Sequence, residues 1–187
     1  MKNIILSMLF VITLTSCKKE NANKNNDTAI TDSTSTSETA GNEDTAVFAN
    51  EVSPENINQY LGKDNDTLYI TNFFATWCGP CLREIPHFKN KMKELKGKPV
   101  KFTFVSLDDK SEWDSSVKKF GEENELTGHI VLLDGKKIQP DFFPTHFKQW
   151  DGGSIPFTYM KKGKQTDEFV GMMTEEVLDS KINSFLK

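Results

Sequence analysis

Residues 66–76, DTLYITNFFAT, run almost directly into a helical pattern, and that junction constrains the fold more than anything else in the chain. The stretch is rich in β-branched and aromatic side chains, and near its end apolar residues occupy consecutive positions. A strand apolar on both sides is covered on both sides, as at the centre of a sheet flanked by helices. Beyond it Leu82, Ile85, Phe88, Met92 and Leu95 recur every three or four residues. This predicts an amphipathic helix ending at Gly97, with Pro99 beyond. Pro86 falls inside the helix and removes one backbone hydrogen bond, so a kink is expected.

The rest of the folded part reads in the same alternating way. SPENINQYL (53–61) predicts a short helix with Ser53 as N-cap and Pro54 in the first turn. VKFTFVSL (100–107) and HIVLLD (129–134) predict strands, separated by a helix marked by Trp113, Val117 and Phe120. Residues 135–151 carry no clear period, with a helix expected around PTHFKQW. PFTYMKKGKQTDEFV (156–170) predicts a hairpin turning at Lys162-Gly163. Leu178, Ile182, Phe185 and Leu186 predict a last helix capped by Thr174, with Glu175 and Glu176 at its positive end. Strands alternating with helices, then a hairpin and a helix, imply an α/β layered domain with a mixed sheet.

The 36% hydrophobic content is low for 187 residues, and the deficit is localised. Residues 18–46 contain one large apolar side chain, Ile30, and no aromatic one. Such a segment cannot offset the entropy of ordering, so a disordered tether spanning roughly 30 Å is expected over 17–46. The folded domain is placed at 47–187. The formal charge of −4 and the absence of a basic stripe interleaved with aromatics argue against a nucleic-acid partner. Lys2 followed by an apolar run from Ile4 to Leu14 reads as a signal peptide over 1–16, the run being too short to span a bilayer.

The chain has three cysteines, and two of them, Cys78 and Cys81, lie at the strand-to-helix junction. At positions i and i+3 of a first helical turn they face the same way. Cys78 meets the unpaired N–H groups and positive end of the helix, which stabilise a thiolate. Gly79 and Pro80 stand between them, and Pro80 has no N–H to waste in a first turn. One sulfur placed to attack and a deeper one to resolve is the arrangement thiol–disulfide exchange needs. A purely structural disulfide would close too small a loop to stabilise much. A zinc site needs about four ligands, and one Cys pair with three scattered histidines does not supply them.

FFATWCGPCLREIP resembles the active-site segment of thioredoxin-like proteins, and the pattern Cys-x-x-Cys-x-x-Glu-x-Pro resembles their membrane-anchored ResA and TlpA branch. The resemblance covers about 53–187 and implies a thioredoxin-like fold with an insertion between its βαβ and ββα halves. It makes Cys78 the nucleophile, Cys81 the resolving thiol and Glu84 an acidic residue influencing proton transfer. Ile155-Pro156 matches the cis-proline dipeptide facing the disulfide, and with Trp77, Gly79 and Pro80 forms the expected substrate-binding surface. Thioredoxin has a buried aspartate where this chain has Asn72, so the acid–base role passes to Glu84 or water. The competing role for Glu84 is a solvated helix residue paired with Arg83 or Lys89. Leu14-Thr15-Ser16-Cys17 resembles the lipobox of bacterial lipoproteins, which implies lipidation at Cys17 and a domain facing the cell envelope.

Other singled-out residues have plain readings. His87, His129 and His146 are isolated and read as surface or packing residues; no metal and no cofactor is expected. Trp113 and Trp150 are expected in the core, and Trp77 at the rim shielding the pair. The Lys161–Lys164 hairpin tip reads as solvated, and Gly171 either as a turn or as a close approach beneath the site. The expected function is extracytoplasmic reduction of protein disulfides by a monomer, with apocytochrome c the leading substrate. Gly-Pro between the cysteines matches thioredoxin, a reductant at about −270 mV. The resemblance implies electrons from a membrane thiol shuttle of the CcdA or DsbD kind. Two alternatives are a thiol peroxidase and a non-catalytic peptide-binding module. The first is disfavoured because no threonine stands two or three residues before a lone cysteine.

Overall fold

The computed structural model describes residues 48–187. The signal peptide, Cys17 and the whole of the proposed tether lie outside these residues. Six strands form one sheet in the order β1-β4-β3-β2-β5-β6: β1 (Asn50–Val52), β2 (Leu68–Phe74), β3 (Val100–Ser106), β4 (Ile130–Leu133), β5 (Phe157–Lys162) and β6 (Gln165–Val170). The first four in this order are parallel, while β5 runs antiparallel to β2 and β6 to β5. The expected α/β class and mixed central sheet are what forms. β1 was not foreseen; three residues are too few to show a period.

All seven residues of β2 are buried, as expected for the middle of a covered sheet. Their alternation sorts them between two layers. Leu68, Ile70 and Phe74 pack with Phe102 and Phe104 under α2 (Gly79–Glu94), α3 (Lys118–Glu123) and α5 (Glu175–Leu186). Phe73 faces the other way, into a layer with Val105, Phe157, Ile57 and Leu61 under α1 (Asn58–Leu61). Asn72, two residues from both Ile70 and Phe74, is thereby carried into the first layer, among apolar neighbours.

The elements depart from expectation in detail. Residues 53–61 split into a 3-10 turn at Pro54–Asn56 and the short α1, and Ser53 receives the Asn56 amide instead of capping a backbone N–H. α2 runs through Pro86 unbroken. The Trp113–Val117 segment is a π turn leading into α3, with Trp113 and Val117 buried and Phe120 half-buried. Thr174 caps α5 by accepting from Val177 N. Lys161 and Lys162 are not merely solvated: one pairs with Asp64 at 2.8 Å, the other donates to Phe185 O at 2.9 Å.

The unclear stretch forms α4 at Phe142–His146, earlier than PTHFKQW suggested. Pro144 sits in its first turn, where a missing N–H costs nothing. Phe147 then turns to extended backbone, which sends Phe147 and Trp150 into the second layer against Phe73 and Phe157. Glu168 of β6 holds this strap by accepting from Lys148 N and Gln149 N. At Gly152 (φ +84°) a Cβ would lie 2.2 Å from the Phe143 ring, so no other residue fits without displacing it. The strap ends at Ile155-Pro156, which places β5 beside the cysteine pair.

Candidate active site

Cys78 is the N-cap of α2, Gly79 and Pro80 are its first two residues, and Cys81 lies one turn in. The two cysteines form a disulfide, with Cα atoms 5.3 Å apart. Cys81 N–H points at Cys78 Sγ, 3.3 Å away. Once the disulfide opens, this donor and the positive end of α2 both favour a thiolate on Cys78. Cys78 keeps 5% of its surface and Cys81 none, so an incoming disulfide reaches Cys78 first. Ile155 O lies 3.7 Å from Cys78 Sγ, and the Ile155-Pro156 peptide is cis.

Beside the pair an exposed tryptophan and the exposed Arg83 guanidinium, which lies near Gly79, meet the solvent. Trp77 is 72% exposed, so it flanks the disulfide rather than packing over it as a shield. Leu82, Val170 and Met172 are the other exposed large apolar residues among the described ones. Leu82 follows Cys81, and Val170 and Met172 flank Gly171, whose N–H donates to Pro156 O at 2.8 Å. Sequence reasoning missed Val170 and Met172, and it counted Leu82 in the apolar face of the helix, where Leu82 is in fact exposed. Gly171 has φ +101° and a Cβ there would meet nothing within 4 Å, so it serves a turn and not a close approach.

Glu84 is fully buried, and the competing reading as a solvated partner of Arg83 or Lys89 does not hold. Its Oε1 accepts from Asn72 Nδ2 at 2.7 Å and its Oε2 from Met173 N at 2.8 Å. Burial pushes its carboxyl up to about 7, against the two hydrogen bonds that favour the charged form. A buried acid titrating near neutrality, three residues after Cys81, can hold or release a proton under physiological conditions. Asn72 also donates to Thr158 Oγ1 at 3.0 Å.

A second buried carboxylate was overlooked in the sequence. Asp108, beyond the end of β3, accepts from Thr76 N at 3.0 Å, Thr76 Oγ1 at 2.6 Å and Ser106 Oγ at 2.8 Å. It fixes the loop that delivers Cys78. Thr76 does stand two residues before Cys78, but its hydroxyl is given to Asp108 and its cysteine is paired. His87 is half-buried with Nδ1 3.1 Å from Met173 O, while His129 and His146 bond the carbonyls of Phe102 and Phe142. Trp113 and Trp150 are in the core.

Residues 49–159 match the AhpC/TSA family. The chain belongs to that family. Among curated relatives it is similar to the thioredoxin-like protein YneN of Bacillus subtilis, 34% identical over 61% of this chain and 62% of the relative. It also resembles the thiol-disulfide oxidoreductase ResA of Bacillus thuringiensis, 28% identical over 58% and 57% respectively. The sporulation thiol-disulfide oxidoreductase A of Bacillus subtilis is 31% identical over 57% and 66%. The chain thus spans less than two thirds of the length of each. Among solved structures, a thioredoxin-family thiol:disulfide interchange protein from Chlorobium tepidum superimposes with a TM-score of 0.54. That match has 21% identity and covers 66% of this chain and 82% of the other. The fold is thioredoxin-like.

Proposed function

We propose that this chain is an extracytoplasmic thiol–disulfide oxidoreductase that reduces protein disulfides through Cys78 and Cys81. The observation that carries the reading is the asymmetry of the pair. One sulfur stands at a helix N-terminus and keeps some exposure, and the other is buried one turn deeper. In the reduced form the Cys78 thiolate attacks a substrate sulfur, forming a mixed disulfide and expelling one substrate thiolate. Cys81 then gives up its proton and attacks Cys78 Sγ. The second substrate thiolate leaves and the intramolecular disulfide closes. Two electrons have passed from the dithiol to the substrate. Glu84, titrating near 7, is the group suited to take the Cys81 proton. Trp77, Gly79, Pro80, Ile155 and Pro156, with Leu82, Val170 and Met172, form the surface on which the substrate docks.

Regeneration requires a dithiol donor, and a membrane thiol shuttle of the CcdA or DsbD kind fits a domain outside the cytoplasm. Apocytochrome c is the leading substrate. The purified protein, reduced chemically, is expected to reduce a disulfide peptide stoichiometrically and to consume hydrogen peroxide no faster than free thiols do. Peroxide turnover without peptide reduction would instead make it a thiol peroxidase. Biological function persisting after both cysteines become serine would make it a binding module.

The anchor belongs to the same proposal. Cys17→Ala is expected to abolish incorporation of labelled palmitate while leaving peptide reduction unchanged. Labelling that persists in the variant refutes lipidation at Cys17.

A further inference from the structure

Among the described residues, one buried side-chain polar atom has no hydrogen-bond partner: Asn72 Oδ1. Its amide nitrogen is fully used, donating to Glu84 Oε1 and to Thr158 Oγ1, and the residue is only 1% exposed. Buried polar atoms are seldom left unpaired, and one beside a titrating group asks for a reason. The arrangement suits an ionised Glu84, whose two oxygens both accept. It does not suit an acid form protonated on Oε1. That O–H must donate, and the atom facing it is an amide nitrogen.

A half-turn of the Asn72 amide removes this conflict without changing the volume it fills, and it moves Nδ2 to the position where Oδ1 had no partner. The orphan oxygen then faces Glu84 and accepts its O–H. Thr158 answers the same turn, because a hydroxyl both accepts and donates: it receives from Nδ2 in one orientation and gives to Oδ1 in the other. The remaining partner of Glu84, Met173 N, serves either state, donating to the carboxylate or to the carbonyl oxygen of the acid.

We propose that Asn72 and Thr158 form a reversible hydrogen-bond relay that keeps buried Glu84 partnered in both protonation states. Asn72 presents nitrogen to the carboxylate and oxygen to the carboxylic acid. The proton gained or lost is exchanged with water, and no covalent bond between heavy atoms changes. The charged or titratable groups flanking Glu84 are Arg83 and His87 on α2 and the exposed Glu175 and Glu176 at the start of α5, while Cys78 and Cys81 titrate only once their disulfide opens. β2 and β5 contribute the uncharged Asn72 and Thr158. Among the described residues no cation bonds Glu84, so the relay is what accommodates its change of charge. Asn72 and Thr158 are positioning residues: they act on the thiols only through Glu84.

The relay rests on the reading of Glu84 as the site's proton carrier, but its test involves no turnover, so the two can fail separately. The full oxidised chain, isotopically labelled, is followed by NMR between pH 5 and pH 9. At pH 9 the Asn72 amide protons should give cross-peaks to the Thr158 side chain. At pH 5 these should be lost, with the same midpoint as the Glu84 carboxyl carbon. Cross-peaks that survive the titration of Glu84, or a Glu84 that does not titrate in this interval, overturn the relay. Thr158→Val supplies an independent check. A hydroxyl serving both orientations predicts less than about a threefold change in the Glu84 acid constant. A larger rise in its midpoint means that Thr158 supports the charged form alone, and the amide does not turn.

Discussion

Cys81→Ser will lose multiple turnover completely and accumulate a mixed disulfide through Cys78. The reasoning follows from which sulfur is reachable. Cys78 retains a little exposure at the helix N-cap, beside Ile155 O, while Cys81 retains none. Removing the buried thiol leaves the attack on substrate intact and deletes only the step that releases it. The adduct should therefore build up with a reactive disulfide peptide, and mass spectrometry should place the linkage at residue 78. Cys78→Ser should give no such adduct, because the remaining thiol lies beneath the surface. Alkylation of the reduced wild type near neutral pH should likewise label Cys78 well before Cys81. An adduct in Cys78→Ser but not in Cys81→Ser would reverse the two roles.

The parts of this site that the sequence revealed are local in the chain. The strand, the helix and the cysteines lie within 66–95, so periodicity and spacing alone place the pair at a helix N-terminus. Glu84 follows on the same helix, but its burial could not be read from its own surroundings. Its neighbours in sequence, Arg83 and Lys89, suggest a solvated face. It is buried because the segment before α5 folds across it, and Met173 N reaches it from 89 residues away. Thr158, 86 residues from Asn72, is another such partner. Asp108 is the same case at shorter range: a carboxylate in SLDD carries no period, and only the return of β3 beside β2 brings it to Thr76. The strap at 135–151 resisted for a different reason. Its aromatic residues show no single period, since Phe142 and Phe143 lie on the short α4 while Phe147 and Trp150 pack from the irregular backbone beyond it, where Glu168 holds the chain.

The buried carboxyl also makes the second large effect, which a solvated glutamate would not produce. Glu84 has an ordinary value of 4.5 and a folded-state value of about 7, so the fold prefers its neutral form. Its contribution to stability is therefore fully present below about pH 4.5. It is lost as pH rises toward 7 and stays lost above. The difference of two to three pH units corresponds to about 3 kcal/mol. Glu84→Gln abolishes this titration, and its amide can occupy the place of the carboxylic acid, accepting from Met173 N and donating to a turned Asn72. The oxidised variant should thus be more stable than wild type by up to about 3 kcal/mol at pH 8, and nearly equal to it at pH 4.5. Urea unfolding of both proteins at the two pH values measures this as a double difference. Equal differences at both values would mean that Glu84 does not titrate between them. The same substitution removes a negative charge that opposes a thiolate, so at least one active-site thiol should become more acidic. Stability gained at pH 8 would then accompany an altered pH dependence of disulfide reduction, the two effects having one buried proton as their common source.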